Sequence, residues 1–349
     1  MIVHVDELLR PLSTRMPREL VSQEALATAS EVAHLLPRMS GGISLECRLE
    51  EGASQVDFMA CGMLSDGSAQ ALADMLASAG ERLRGPLWDG VRAFSREWLD
   101  ARSPLARVPF LWLEYDLPRP LGGVPQPFAF LCVEPEFLKP PGRALEHRKA
   151  VDAALQLASR GLEVLRGKPM TPALARTVAR CFELLPEGGV IEHVAPLDCR
   201  GRDAVRLVMG VPRPHLVDYV ERIGWPGPRA QVEELARTWL SPLSFAEVNV
   251  DAGPEGLGPT IGFSLPLPDE PRKSWASEVL QRMVEQKLCT PAKRDAVLDW
   301  PGSERVTLEG YRWPSKLCRT IGLKLVCRPN EPLSVKAYPY FECRFSLWM

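Results

Sequence analysis

The chain has 349 residues with 42 basic and 44 acidic side chains, a formal net charge of −2, so no overall field favours a nucleic acid or an anionic membrane and any anion site must be local. Its 46% hydrophobic content is ample for a globular core. No apolar run approaches the ~18 residues of a membrane span; MIVHVDELLR lacks the basic start and apolar stretch of a signal peptide, and the nine cysteines form no CxxC pair, which together predict a cytoplasmic protein with reduced thiols.

In chain order, residues 22–36 read as a helix capped by Ser22 and stopped by Gly41 and Gly42. GISLECRL and QVDFMACG form a first hairpin, about 43–49 and 55–61, with Glu46 and Arg48 on one side. Ser65 to Ser68 cap a helix through Ala77, and a second helix spans about 87–101. PFLWLEYDL and PFAFLCVEP make a second strand pair across the loop PRPLGGVPQ. Helical patterns follow at 143–166 and 171–185, the latter opened by Thr171 as cap and Pro172 at the first helical position. GGVIEHVAPL and DAVRLVMG form a third pair. The helices PHLVDYVERIG, ended by Gly224, and RAQVEELARTWL precede a fourth pair, SFAEVNVDAG and GPTIGFSLPL. Two further helices, SWASEVLQRMVEQKL and the stretch after Thr290-Pro291, lead to a fifth hairpin at 320–341.

Two helical stretches and two strands therefore alternate five times with no linker between them, which predicts one domain over 1–349 with ten strands. One strand parity is apolar, as at Ala246, Val248 and Val250 or Leu111, Leu113 and Leu117, and suits cover by amphipathic helices. The other parity is polar and aromatic. Closure removes both edges of such a sheet, and ten strands leave a chamber where eight would be filled by side chains. The expected fold is an α+β, ten-stranded antiparallel β-barrel of five ααββ units with helices outside. In the last hairpin, alternation puts Lys336, Tyr338 and Tyr340 on one face, beside Lys324 of the preceding strand.

With the strand-borne Lys and Tyr of LKLVC and VKAYPYF, this architecture resembles the ABBA prenyltransferases, the PT-barrel family, along essentially the whole chain. It also resembles uncharacterised bacterial proteins associated with peptide-modification gene clusters. The first resemblance implies transfer of a prenyl group from its diphosphate to an aromatic small molecule or a peptide in natural-product biosynthesis. No cofactor is then required, and Mg²⁺ is compatible with the chemistry. Arg48, Arg206, Lys324 and Lys336, with Tyr338 and Tyr340, would hold the diphosphate. Trp112 and Phe130 would shield the allylic cation, Glu46 would orient or deprotonate the acceptor, and Glu114 is the second choice for that role.

Each residue also has a plainer reading. A strand lysine is commonly solvated, a strand tyrosine packs its ring, Glu46 and Arg48 can form an ion pair of no catalytic value, and His193, between Ile191 and Val194 in parity, reads as a packed histidine. Glu46, Glu114, Asp116, Glu192, Glu247 and Asp251 outnumber the basic candidates on the inner parity, and Pro339 predicts a bulge or free edge in the last strand. The chain has no P-loop, dinucleotide fingerprint, HExxH, DDxxD or GxSxG motif and no zinc spacing. Two alternatives stay open: a non-catalytic barrel that binds a peptide or small molecule as an accessory protein of a biosynthetic pathway, and an open-sheet scaffold with no chamber.

Overall fold

The computed structural model describes residues 3–39, 42–117, 123, 125–134, 144–308 and 314–345. Its strands are β1 (Ile43–Arg48), β2 (Val56–Met63), β3 (Phe110–Asp116), β4 (Phe128–Cys132), β5 (Val190–Pro196), β6 (Val205–Pro212), β7 (Phe245–Gly253), β8 (Gly256–Pro266), β9 (Gly302–Val306), β10 (Ser315–Cys327) and β11 (Ser334–Phe345). The helices are α1 (Val5–Leu9), α2 (Gln23–Ala33), α3 (Ser68–Ser78), α4 (Pro86–Leu99), α5 (Ala144–Arg166), α6 (Pro172–Glu183), α7 (Leu216–Ile223), α8 (Arg229–Thr238), α9 (Trp275–Glu285) and α10 (Pro291–Asp299).

Local chemistry sets many of these boundaries. The side chains of Ser22, Thr171, Ser274 and Thr290 each accept a backbone N–H at the start of their helix, and Pro172 and Pro291 follow two of these caps, where a missing N–H costs nothing. Gly224 ends α7 in the left-handed region at φ 88°, which a side chain would resist.

Strands β1 to β8 pair with their sequence neighbours, β8 pairs with β10, β10 with β11, and β11 returns to β1, all antiparallel. Ten strands therefore close into a barrel. The open-sheet alternative is overturned by the Ser44↔Tyr340 and Arg48↔Lys336 pairings that join the ends.

Two sequence expectations need correction. An eleventh strand, β9, pairs Gly302 to Val306 with Arg319 to Ser315 of β10, outside the ten-strand circuit. GSERV carries no alternation to announce it; β10 is simply longer than the barrel needs and takes a second partner beyond β8. Pro339 makes neither a bulge nor a free edge. It sits opposite Ile321 in an unbroken β10–β11 register, and β1 keeps the same register on both sides of it, at Ser44↔Tyr340 and Cys47↔Ala337. One missing donor removes one rung without moving the strand. Gly41, Pro135, residue 143 at the start of the helix predicted over 143–166, and most of the PRPLGGVPQ loop lie outside the described residues.

The apolar strand parity behaves as predicted: Leu111, Leu113, Val248, Val250, Leu323 and Leu325 are buried in one core with Trp88, Phe94 and Trp98 of α4 and Phe182 of α6. The buried indoles satisfy their N–H groups, Trp98 on Val108 O at 2.7 Å and Trp300 on Thr320 O at 2.9 Å, so they bring large apolar area without an orphaned donor. No described helix is long and apolar enough to cross a membrane, and the cysteines are free.

Candidate functional site

The opposite strand parity surrounds a cavity of about 260 Å³ whose walls come from nine of the ten barrel strands. Of the sequence-predicted residues, Glu46, Trp112, Glu114, Phe130, Arg206, Lys324, Lys336, Tyr338 and Tyr340 line it. Arg48 does not. It is the last residue of β1, half-buried, with its guanidinium turned to Gln55 Oε1 at 3.5 Å. Parity assigned its side of the sheet correctly but said nothing of its height along the barrel.

His193 corrects a second reading. Ile191 faces Met209 and His193 faces Val208, so Glu192 is an extra residue in β5. Such a bulge lets two consecutive side chains leave on the same side. Ile191 and Val194 stay in the apolar core while His193 turns into the cavity, its ring 5.4 Å from that of Phe110. The Glu192 carboxylate lies over Gly210, where a Cβ would come within 2.8 Å of Oε1. Burial pushes the imidazole down to about 4, leaving it neutral, and burial together with Glu247 pushes the Glu192 carboxyl up to about 8.

At the other side, Glu46 accepts hydrogen bonds from Lys336 Nζ and Tyr338 Oη. Burial alone would raise its carboxyl, but Lys336 and Lys324 overcome that and hold it at about 2. Lys324 has cations and carboxylates around it but forms no ion pair among the described residues: its Nζ donates to Asn249 Oδ1 at 2.7 Å and sits 5.7 Å from the centre of the Tyr338 ring. Burial, Arg206 and Lys336 bring its ammonium down to about 8 despite Glu46. Gly262 makes room for this side chain, since a Cβ there would fall 2.7 Å from Lys324 Cε.

Arg206 is held bidentately by Asp251, at 2.8 and 3.3 Å, and Asp251 also takes Arg202 at 2.9 Å. Asp116 pairs with Arg200 at 2.7 Å, and Arg200 lies 3.6 Å from Glu114. Several acids that threatened to make the chamber negative are therefore matched locally. Glu114 is raised by burial and by Glu46. Trp112 and Tyr340 meet edge to face with ring centres 6.1 Å apart, and the Tyr340 hydroxyl donates to Glu342 at 2.9 Å.

Asn249, on the polar parity of β7 with Glu247, lines the cavity, and Asp57 of β2 is a further acid that no sequence pattern singled out. Asp57 faces Glu46 across β1 and β2 and Asp116 across β2 and β3; burial and these two carboxylates push it up to about 7. Its own strand shows one acid in an apolar run, and only the pairing reveals three acids side by side. A wider surface cleft of about 450 Å³, lined by Glu7, Arg10, Arg15 and Arg305 among others, lies outside the barrel and lacks this convergence. Among the described residues no group of three or more His, Cys, Asp or Glu side chains is arranged to hold a metal ion. No protein-family model matches the chain, and no curated protein matches it in sequence.

Proposed function

We propose that the chamber binds a prenyl diphosphate and transfers its prenyl group to an aromatic small molecule or a peptide, in a cytoplasmic barrel of five ααββ units with the helices outside. One observation carries this reading. Lys324, Lys336 and Arg206 converge from three strands on a cavity whose remaining wall includes Trp112, Phe130 and the rings of Tyr338 and Tyr340. The cations oppose charge growing on the diphosphate as its bond to the allylic carbon breaks. The aromatic faces stabilise the allylic cation, each by roughly 0.5–2 kcal/mol, and keep water from it.

The acceptor attacks that carbon and its proton must leave. Glu46, held at about 2, is a poor proton acceptor and serves better as the anchor of Lys336 and Tyr338. Glu114, raised by burial and by Glu46, is the stronger base once ionised. The reaction so written calls for no cofactor; Mg²⁺, if it enters, comes with the diphosphate.

A second reading, a barrel that binds a peptide or small molecule without turning it over, is favoured by a different observation. Lys336 is already taken by Glu46 and Arg206 by Asp251, so a diphosphate has to compete with two carboxylates. Incubation with dimethylallyl or geranyl diphosphate and a panel of aromatic compounds and peptides, followed by mass spectrometry, separates the two. Transfer predicts a prenylated product that falls on the order of 100-fold in Lys336→Met. Absence of product from every donor–acceptor pair, in protein that still binds peptide, would favour the second reading.

A further inference from the structure

The lysines inside this fold differ in what meets their amines. Lys293 of α10 gives its ammonium to three carbonyl oxygens, those of Arg48, Glu50 and Ala53, at 2.9, 2.8 and 3.0 Å. Lys336 meets the Glu46 carboxylate. Lys324 meets one neutral amide oxygen, Asn249 Oδ1, and makes no ion pair with a carboxylate among the described residues. The charged and titratable groups around it are Glu46 from β1, Glu114 from β3, Arg206 from β6, Glu247 from β7, and Lys336 and Tyr338 from β11, with Ser264 of β8 its pairing partner. An amine enclosed in a chamber, with a neutral amide as its hydrogen-bond acceptor, two cations among its neighbours and no carboxylate within ion-pair distance among the described residues, gives up its proton more readily than a paired one and is placed to act as a nucleophile.

We propose that Lys324 is a nucleophilic lysine that condenses with an aldehyde or ketone carrying an anionic group, with Arg206 and Lys336 receiving that group. The inference uses the same chamber as prenyl transfer but does not depend on it. The Nζ lone pair adds to the carbonyl carbon while the C=O π pair takes a proton, giving a carbinolamine. The nitrogen loses one proton as the carbinolamine settles, the hydroxyl takes a proton and leaves as water while the C=N bond forms, and the nitrogen's second proton then departs. Amine and carbonyl thus yield imine and water, with no oxidant or reductant. The Tyr338 ring lies 5.7 Å from the amine to its centre and its hydroxyl is engaged by Glu46, so the protons are exchanged with solvent. The amine's position at about 8 rather than the ordinary 10.5 gives roughly 300-fold more neutral lysine at a given pH below both values.

Glyoxylate, an aldehyde next to a carboxylate and small enough for the cavity, is the probe, with cyanoborohydride to trap the imine. Peptide mapping at pH 7 after a short exposure should show carboxymethylation of Lys324 about tenfold or more faster than that of the exposed Lys168 and Lys273. Lys324→Arg should lose the fast label while Lys168 and Lys273 react as before; if that variant fails to fold, the wild-type map decides alone. Labelling of Lys324 no faster than Lys168 would overturn the proposal. Inorganic pyrophosphate tests the relation to prenyl transfer. Protection of Lys324 supports both readings, whereas fast labelling without protection upholds the nucleophilic lysine and counts against a diphosphate site.

Discussion

Replacing Glu46 by Gln should weaken the empty protein and tighten its hold on an anion. The Glu46 carboxylate is buried, with 8% of its side chain exposed, and accepts from both Lys336 and Tyr338. Its displacement from 4.5 to about 2 corresponds to roughly 3 kcal/mol in favour of the ionised form. A glutamine forfeits that and leaves the Lys336 ammonium without a counter-ion, which matches the roughly 3–5 kcal/mol lost when one partner of a buried pair is removed. Urea unfolding at pH 7, followed by the fluorescence of the nine tryptophans, reads the loss. The sign is fixed by linkage. A depressed carboxyl contributes fully above its unfolded value near 4.5 and loses the contribution as pH falls through about 2, so wild type and variant should converge at pH 2. The double variant Glu46→Gln/Lys336→Met should recover much of the stability. Pyrophosphate, freed from a competing carboxylate, should bind Glu46→Gln more tightly than wild type. Identical urea midpoints at pH 7, or a difference that persists unchanged at pH 2, would mean that the ionised Glu46 does not stabilise the fold through Lys336.

Gly262→Ala should keep the fold but displace Lys324 from Asn249, because the new Cβ meets the flexible Lys324 Cε at 2.7 Å; diphosphate affinity and glyoxylate labelling should fall together, as titration and peptide mapping will show. Asp57 and Glu192 carry carboxyls raised to about 7 and about 8, so the folded chain keeps protons that the unfolded chain releases near 4. Stability should therefore fall as pH rises from about 4 to about 8, and thermal melts should place the maximum in mild acid; a midpoint rising steadily to pH 8 would contradict this. Asp57→Asn should flatten the decline. Tyr115 is fully buried and its hydroxyl has no hydrogen-bond partner among the described residues, so Tyr115→Phe should stabilise the protein by about 1 kcal/mol in the same urea assay.

The barrel was legible because two periodicities repeat along the chain, and because the apolar parity of strands such as AEVNVDA leaves the polar parity only an interior to face. The hairpin that carries Lys324, Lys336, Tyr338 and Tyr340 was legible for the same reason, and all four side chains reach the cavity. Parity does not give height, which is why Arg48 was placed with Glu46 although it ends β1 beside Gln55. Nor does it survive an inserted residue: His193 enters the chamber only because Glu192 is unpaired against β6, a property of the pairing and not of either strand. The same holds for Asp57, whose titration is set by Glu46 and Asp116 on neighbouring strands. Lys293, from a helix far along the chain, closes the β1–β2 turn through three carbonyls that no side-chain pattern announces.

If the chamber is an anion site with an apolar wall, calorimetric titration with dimethylallyl, geranyl and farnesyl thiodiphosphates, with and without Mg²⁺, will show saturable binding that Lys336→Met and Lys324→Ala weaken and Glu46→Gln strengthens. Binding to none of the three, by folded wild-type protein, would contradict it.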